Sequence, residues 1–230
     1  MDFSTPIAMP RGTHYGSEYY CVYSIKAGRV VHLFSKLEYF NFLTMDTDPS
    51  VEKLCEQPLK IEYLNDAGET RHTVFDLWVK YKDGREELQE VKYSKELTDD
   101  SKGALRSQNQ ILVQRRWCED NGVAYTVRTE KDIIKGQFLI QNLSVIAGLA
   151  RRYTPQNEST FNSLIARYLD DADYDGRKSV TVRELIDKEL LPIPYQWAHL
   201  AYMYVNGLVT MNLHTKALDL NTEVKLLCRN

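Results

Sequence analysis

The sequence lacks the features that mark disulfide-stabilised, zinc-binding and membrane-spanning proteins. Its four cysteines, at positions 21, 55, 118 and 228, form no CxxC pair and show no spacing typical of a zinc site. The five histidines are scattered along the chain. The longest apolar run, near "SVIAGLA", is far shorter than the roughly 20 residues that a membrane helix needs, and no signal segment begins the chain. We therefore expect reduced thiols and a cytoplasmic protein without a membrane segment.

The sequence also lacks a strong excess of either charge. It has 29 basic and 32 acidic residues among 230, which gives a formal net charge of −3. No global positive field indicates nucleic-acid binding, but a local basic patch can still attract DNA, and acids that hold a metal lower the total. Hydrophobic residues at 43% and charged residues at 27% are typical of a globular protein, and the length suits one large domain or two modest ones.

Strands and helices follow one another over the first part of the chain. Residues 1–17 contain two prolines and two glycines and predict an extended arm. The segments "YYCVYSIK" and "VVHLF" predict a hairpin, and apolar residues at helical spacing from Ser35 to Met45 predict a helix. Three predicted strands, a helix over 103–120 and a fourth strand come next; the strands are "PLKIEYL", "HTVFDLWVKY", "EELQEVKY" and "VAYTVRT". This order predicts an α/β core with a mixed central sheet flanked by helices.

After about residue 130 the pattern becomes mainly helical. Three amphipathic helical segments precede two short strand-like pieces, "LVTMNL" and "ALDLNTEVKLL". Three helices followed by a hairpin are typical of a winged-helix module. We place the domain boundary near residue 150, so that 1–150 forms the α/β domain and 151–230 the mainly helical one.

An acid and an acid–base pair stand on two neighbouring predicted strands. Glu90 and Lys92 share one face of their strand because side chains alternate in direction, and Asp76 lies on the strand before. Carboxylates are the ligands of Mg²⁺ in phosphodiester hydrolysis, and a lysine can orient the attacking water. The alternative is a charged stripe on an exposed sheet face. The residues around Asp76 are apolar on both sides, which predicts a covered sheet in which an acid needs a partner.

The turn between these strands decides whether the two acids meet. A three-residue loop over 82–84, with its glycine in the left-handed region, pairs Tyr81 with Arg85 and sets Asp76 opposite Glu90. A two-residue turn would place the Asp76 side chain on the other face. We predict the bulged register, in which the two carboxylates are close enough to share one cation.

A third carboxylate lies in the predicted helix before these strands. Glu38 stands three residues after Ser35, which is the spacing of a capping box. In that role the Glu38 carboxylate accepts the backbone N–H of Ser35. Capping and metal binding do not exclude one another, so both roles stay open.

Several short motifs, in this order, resemble one family along most of the chain. They are "SKLE", "EQPLKIEY", "FDLWV", "EVKY", "VRTEKDI" and "QNLSVIAGLARRY". Together, over about residues 30–225, they resemble the TnsA family, the endonuclease subunits of heteromeric (Tn7-like) transposases. The resemblance implies a restriction-endonuclease-like catalytic core followed by a winged-helix C-terminal domain.

The resemblance also implies a set of site residues. Glu38, Asp76, Glu90 and Lys92 match the catalytic residues of the family, and Gln57 belongs to the "QP" that begins its first core strand. Many members carry Gln at position 90, so Glu90 is the more acidic variant, which favours metal binding.

The leading hypothesis is a Mg²⁺-dependent DNA endonuclease that cuts at the 5′ ends of a transposable element during cut-and-paste transposition. Glu38, Asp76 and Glu90 hold the metal with the carbonyl of Val91, and Lys92 positions the attacking water. Mn²⁺ is expected to replace Mg²⁺. A restriction or repair nuclease of the same fold is one alternative. A non-catalytic DNA-binding or transpososome-assembly module is another.

The resemblance further implies partners in the prokaryotic cytosol, where the protein would associate with the nucleoid when active. They are DNA at the transposon ends, a DDE transposase subunit (TnsB-like) and an AAA+ ATPase regulator (TnsC-like). The predicted helix "YQWAHLAYMYVNG" has no Lys or Arg, so we expect the C-terminal domain to contact a partner protein more than DNA. Lys102, Arg106, Arg115 and Arg116 are the candidate phosphate contacts, and an ordinary solvated helix face is the alternative reading of these four.

Overall fold

The structure, a computed structural model, describes residues 1–8, 18–65, 67–153, 158–174, 179–191 and 195–226. The chain divides into two compact units, Met1–Asp46 with Ser50–Ile134 and Thr47–Pro49 with Lys135–Asn230. This division precedes the predicted boundary near residue 150 because the helix before that boundary belongs to the second unit. Its buried Asn142 donates hydrogen bonds to the backbone carbonyls of Leu213 (2.9 Å) and Lys216 (2.7 Å).

The first unit contains eight described strands, three described α-helices and a short 3₁₀ helix. In chain order they are β1 Tyr20–Tyr23, β2 Val30–Leu33, α1 Lys36–Thr47, β3 Val51–Glu56, β4 Lys60–Leu64, β5 Thr70–Val74, β6 Leu77–Tyr81, β7 Glu86–Val91, the 3₁₀ helix Ser94–Leu97, α2 Lys102–Asn121, β8 Ala124–Arg128 and α3 Glu130–Ile133. β1 and β2 form the antiparallel hairpin that the sequence predicts.

The central sheet has the order β3-β6-β7-β8, with β7 and β8 parallel and the other pairs antiparallel. Successive residues of β6 pack into different cores. Val79 packs with Phe42 of α1, whereas Trp78 packs with Cys118 of α2. The sheet is therefore covered by helices on both faces, which confirms the predicted mixed α/β core.

The first strand of the central sheet is β3, and the segment "PLKIEYL" predicted for that place lies elsewhere. Its strand β4 pairs with β5 in a separate two-stranded antiparallel sheet. Gln57 and Pro58 therefore follow the first core strand and do not begin it. β3 was not predicted because Glu52 and Lys53 are exposed at its start and interrupt the alternation of apolar residues.

The predicted strand "HTVFDLWVKY" is two strands, β5 and β6, that belong to different sheets. The Phe75 N–H donates to the Leu59 carbonyl at 3.1 Å, whereas the next N–H, of Asp76, donates to the Gln89 carbonyl at 3.1 Å. The backbone thus changes partners between two consecutive residues. This break places Asp76 at the point where the chain enters the central sheet.

The register of the β6–β7 hairpin is the bulged register that the sequence predicts. The Tyr81 N–H donates to the Arg85 carbonyl at 2.8 Å, and Gly84 takes a φ of +88°. Along the pair, residue 77 faces residue 89 and residue 80 faces residue 86. Continued by one residue, this register sets Asp76 opposite Glu90.

Helix α2 follows β7 and covers one face of the sheet. The Ser101 side chain accepts the Ala104 N–H at 3.3 Å and begins the helix. Gly122, with a φ of +66°, ends it in the left-handed conformation. Neither this helix of 20 residues nor any other that the structure describes is both long and apolar enough to cross a membrane.

The second unit contains helices and one small sheet. Its described elements are α4 Leu139–Ala150, α5 Glu158–Tyr174, β9 Val180–Thr181, α6 Val182–Asp187, α7 Gln196–Val205, β10 Val209–Met211 and β11 Glu223–Leu226. The three strands form an antiparallel sheet of order β10-β11-β9. The final hairpin confirms the predicted strand pair, whereas β9 was not predicted because it has only two residues.

Candidate active site

Two carboxylates meet where β6 begins and β7 ends. Asp76 directly precedes β6, and the hairpin register sets it opposite Glu90 of β7. One carboxylate oxygen of Asp76, Oδ2, accepts the backbone N–H of Val91 at 2.6 Å. Asp76 is partly exposed, whereas Glu90 is 0% exposed. The predicted juxtaposition is therefore present. Asp76 is accessible to solvent, and Glu90 is not.

The buried carboxylate of Glu90 is held by three donors. Its Oε1 accepts from Lys92 Nζ at 2.5 Å and from Gln110 Nε2 at 2.8 Å, and its Oε2 accepts from Gln114 Nε2 at 2.9 Å. Gln114 is itself fixed, because its Oε1 accepts the hydroxyl of Tyr125 at 2.7 Å. Charge-assisted hydrogen bonds of this kind keep a buried carboxylate in one orientation.

Glu38, in the first turn of α1, forms only half of the predicted capping box. The Ser35 hydroxyl accepts the Glu38 N–H at 3.1 Å, as predicted. The Glu38 carboxylate, however, accepts the N–H of Phe34 at 3.1 Å, one residue before the predicted Ser35. Glu38 is partly exposed and interacts electrostatically with Asp76, so the helix start brings the third acid to the same site.

Comparison with known families identifies the part of the chain around this site. Residues 48–130 match the model of the TnsA-like endonuclease N-terminal domain. This part of the chain is similar to TnsA-like endonucleases. Over residues 48–130 the match confirms the resemblance that the sequence motifs indicate, and it spans Asp76, Glu90 and Lys92, whereas Glu38 precedes it. No curated protein matches the chain.

The three acids of the site, Glu38, Asp76 and Glu90, have raised pKa values. Burial and the charge of Asp76 raise the pKa of Glu38 to about 7 and that of Glu90 to about 8. Burial also raises the pKa of Asp76, while Lys92 and the Val91 amide oppose that rise. When carboxylates share a poorly solvated site, the negative charge of one raises the pKa of the others. Such clusters are typical of functional sites.

Lys92 is charged at neutral pH in this setting. Burial lowers the pKa of Lys92, but the charges of Asp76 and Glu90 outweigh burial, and the net shift is upward. A lysine with a raised pKa cannot accept a proton from water near pH 7. The side chain is 17% exposed, so its ammonium can orient a water or stabilise negative charge next to the acids.

The raised pKa values predict how the stability of the metal-free protein depends on pH. Because the folded forms of Glu38 and Glu90 keep protons that the unfolded chain releases above about pH 4.5, the free energy of unfolding should fall as the pH rises from about 5 to about 8. The slope should approach about 1.4 kcal/mol per pH unit for each such proton. Urea unfolding in EDTA at several pH values measures it. Glu38→Gln should reduce the slope, and a flat or rising profile would contradict the prediction.

The three acids of the site fit a divalent cation in part. Within the residues that the structure describes, no three His, Cys, Asp or Glu side chains are placed so that they could hold one ion together. Joint ligation by Glu38, Asp76 and Glu90 is thus not preformed, and both oxygens of Glu90 accept hydrogen bonds. In the described part of the chain, Asp76 Oδ1 has no hydrogen-bond partner. Mg²⁺ commonly takes one or two carboxylates with waters and phosphate oxygens, and Asp76 with one further acid suits that demand.

Gln57 reaches the site through its backbone. Its N–H donates to the Asp76 carbonyl at 3.0 Å, and its φ of +38° is unusual for a residue other than glycine. Such strain is often found at functional sites.

Gln110 and Gln114 are site residues that the sequence did not indicate. Their spacing of four residues on the apolar side of α2 is the only signal that could have suggested a shared polar partner.

The four basic residues proposed to contact DNA lie on α2 and are all exposed. At about 100° per residue, Lys102, Arg106 and Arg116 share the side of the helix opposite its buried residues, and Arg115 lies on the flank. The buried residues of the helix are Ala104, Ile111, Gln114 and Cys118. The positions are compatible with phosphate contacts, and the role in DNA binding stays a prediction.

Proposed function

We propose that the protein is the endonuclease subunit of a Tn7-like transposase and hydrolyses phosphodiester bonds at the 5′ ends of a transposable element. The observation that carries the proposal is the juxtaposition of Asp76 with the Glu90–Lys92 pair inside a TnsA-like endonuclease domain. An acid, an acid–base pair and a covered mixed sheet together suit metal-assisted hydrolysis of DNA.

The site suggests a separate task for each residue. Asp76, Glu38 and the Val91 carbonyl would hold Mg²⁺, for which Mn²⁺ could substitute, and Glu90 is the remaining candidate ligand. The bound cation would polarise the phosphoryl group and lower the pKa of a water. Lys92 supplies a fixed positive charge that orients this water and stabilises the pentavalent phosphorane-like charge distribution of the transition state. The network from Gln110 and Gln114 keeps Glu90 turned toward Lys92 and Asp76.

The second unit is proposed to be a winged-helix domain. Its order of two helices, short strand, two helices and hairpin, with β9 beside β11, supports that assignment. Helix α7 contains no Lys or Arg, and phosphate contacts depend strongly on these residues. We therefore propose that this unit contacts a TnsC-like AAA+ regulator or a TnsB-like DDE transposase subunit more than it reads DNA.

The proposed substrate is transposon-end DNA in the prokaryotic cytosol. Lys102, Arg106, Arg115 and Arg116 are the proposed phosphate contacts, since they are exposed basic residues on one helix, α2. Contacts of this type would position the strand without reading its sequence, which leaves recognition of the end to a partner.

Removal of the metal tests the proposal. With transposon-end DNA and the cognate transposase and ATPase, the full chain should cut the 5′ strand in Mg²⁺ or Mn²⁺ and should not cut it in EDTA, because no protein group replaces the cation. Strand-specific end labelling measures the 5′ cut apart from the 3′ cut. A 5′ cut that persists in EDTA would contradict metal dependence. Complex assembly with no 5′ cut under any condition would favour the non-catalytic assembly module.

A further inference from the structure

A cavity of about 380 Å³ lies within the first unit, between the N-terminal arm and the strands β2 and β3. Its lining includes Ile7, Tyr19, His32, Phe34, Glu56 and Gln57. The Ile7 N–H donates to the Gln57 carbonyl at 2.9 Å, which holds the arm at one side of the cavity. Its volume lies in the range of about 300–1,000 Å³ that is usual for pockets that take small ligands.

The cavity adjoins the proposed active site through two backbone contacts. The Phe34 N–H donates to the carboxylate of Glu38, and the Gln57 N–H donates to the carbonyl of Asp76. Two of the lining residues are therefore bonded directly to two of the acidic residues. The cavity is therefore linked to the acidic site through two of its own lining residues.

One wall of the cavity is aromatic. The rings of Tyr19 and His32 are nearly parallel, with 16° between their planes and 5.8 Å between their centroids. The ring of Phe34 is tilted by 56° against Tyr19, with 5.6 Å between centroids. The Tyr19 hydroxyl is hydrogen-bonded to His32 Nδ1, which fixes the two rings relative to each other. Tyr19 is 43% exposed, so part of this aromatic surface is open to a ligand.

Two further lining residues of the cavity, Glu56 and Gln57, are polar. The carboxylate of Glu56 is bound by both terminal nitrogens of Arg29 at 2.7 Å. Gln57 is 4% exposed, and its side-chain amide has no hydrogen bond to any residue in the described ranges. An amide has one acceptor oxygen and two N–H donors, so this group can bond to a polar ligand.

We propose that the cavity binds one unpaired nucleobase of the DNA strand that is cut. An aromatic wall offers the π-face on which any base can stack, and the Gln57 amide can bond to the edge of that base. Enzymes that modify a DNA base take it unpaired into such a pocket, where stacking and edge hydrogen bonds replace those of the duplex. The inference rests on the proposed function for the identity of the ligand, and it adds a site that would fix the position of the cleaved phosphate.

Binding of short single-stranded DNA that contains 2-aminopurine tests this site, because stacking quenches the fluorescence of that base. The full chain should quench the fluorescence, and Tyr19→Leu should bind about tenfold more weakly without quenching. Tyr19→Phe keeps the ring and should quench as the wild type does. Tyr23→Leu, which changes a similarly exposed tyrosine (48%) outside the cavity, should bind and quench normally.

The outcomes separate the cavity from the proposed function. The binding readout requires no cleavage, so it can be made in parallel with a cleavage assay on the same DNA. Cleavage that depends on Asp76, together with no quenching by the wild type, would overturn the base-binding site and leave the function intact. Equal losses for Tyr19→Leu and Tyr23→Leu would overturn it as well. If only Tyr19→Leu loses the quenching and the wild-type protein cuts no DNA, the base-binding site is supported and the proposed function is contradicted. If Tyr19→Leu fails to fold, Phe34→Leu should show the same loss of quenching.

Discussion

Asp76→Asn should lower the rate of 5′-strand cleavage by roughly 10²–10³-fold, the usual effect of losing one preorganised charged group in an active site. Asparagine is the same size, and its amide oxygen can still accept the Val91 N–H that Asp76 accepts at 2.6 Å. The hairpin should therefore keep its register. The change removes the negative charge that a hard cation requires and leaves the surrounding structure in place. Strand-specific cleavage of transposon-end DNA by the full chain with its partners measures the effect.

Asp83→Asn is the matched control for this substitution. Asp83 lies in the turn of the same hairpin, where it is 54% exposed and pairs with Arg85. Its loss should leave cleavage unchanged, because the turn conformation depends on Gly84. Assembly of Asp76→Asn with DNA and partners at wild-type affinity would show that only the chemistry is lost. Cleavage by Asp76→Asn at the wild-type rate would contradict the assignment of Asp76.

Lys92→Met should also abolish most of the cleavage, by roughly a hundredfold or more, while binding of Mn²⁺ is retained. An ammonium is not a ligand for a hard cation, so the metal site keeps its oxygens. What is lost is the positive charge next to the reacting phosphate. Single-turnover cleavage rates and calorimetric titration with Mn²⁺ measure the two effects in the same protein.

Lys92→Met also needs a control for its effect on the stability of the fold. Glu90 is fully buried, and Lys92→Met removes one of the three donors that bind its carboxyl group, so the free energy of unfolding should fall. The double variant Glu90→Gln with Lys92→Met removes both charges and should recover much of that loss without restoring cleavage. Lys80→Met, at a surface ion pair with Glu86, should change neither property. Cleavage by Lys92→Met at the wild-type rate would contradict the proposed role of Lys92.

The hairpin at the centre of the site could be predicted because it depends on local turn chemistry. A glycine at position 84 permits a φ of +88°, and the three-residue loop then determines which residues of β6 and β7 face each other. Because side chains alternate in direction along a strand, Glu90 and Lys92 then lie on the same face. Asp76, Glu90 and Lys92 could therefore be brought together from the sequence pattern.

The remaining parts of the site depend on contacts between elements that are distant in the chain. The break between Phe75 and Asp76 arises because two consecutive N–H groups bond to different strands, which the uninterrupted apolar pattern does not reveal. Gln110 and Gln114 acquire their role only when α2 packs over β7 and meets Glu90. Sequence periodicity describes single elements, and these contacts are properties of their packing.

The central claim is that Asp76 is a ligand of the catalytic cation, and the position of Mn²⁺ in crystals of the full chain tests it most directly. Anomalous diffraction should reveal an ion at roughly 2.0–2.5 Å from a carboxylate oxygen of Asp76, and crystals of Asp76→Asn should lack it. An unchanged ion in Asp76→Asn would contradict the claim. So would the absence of any ion at Asp76 at a Mn²⁺ concentration that supports cleavage.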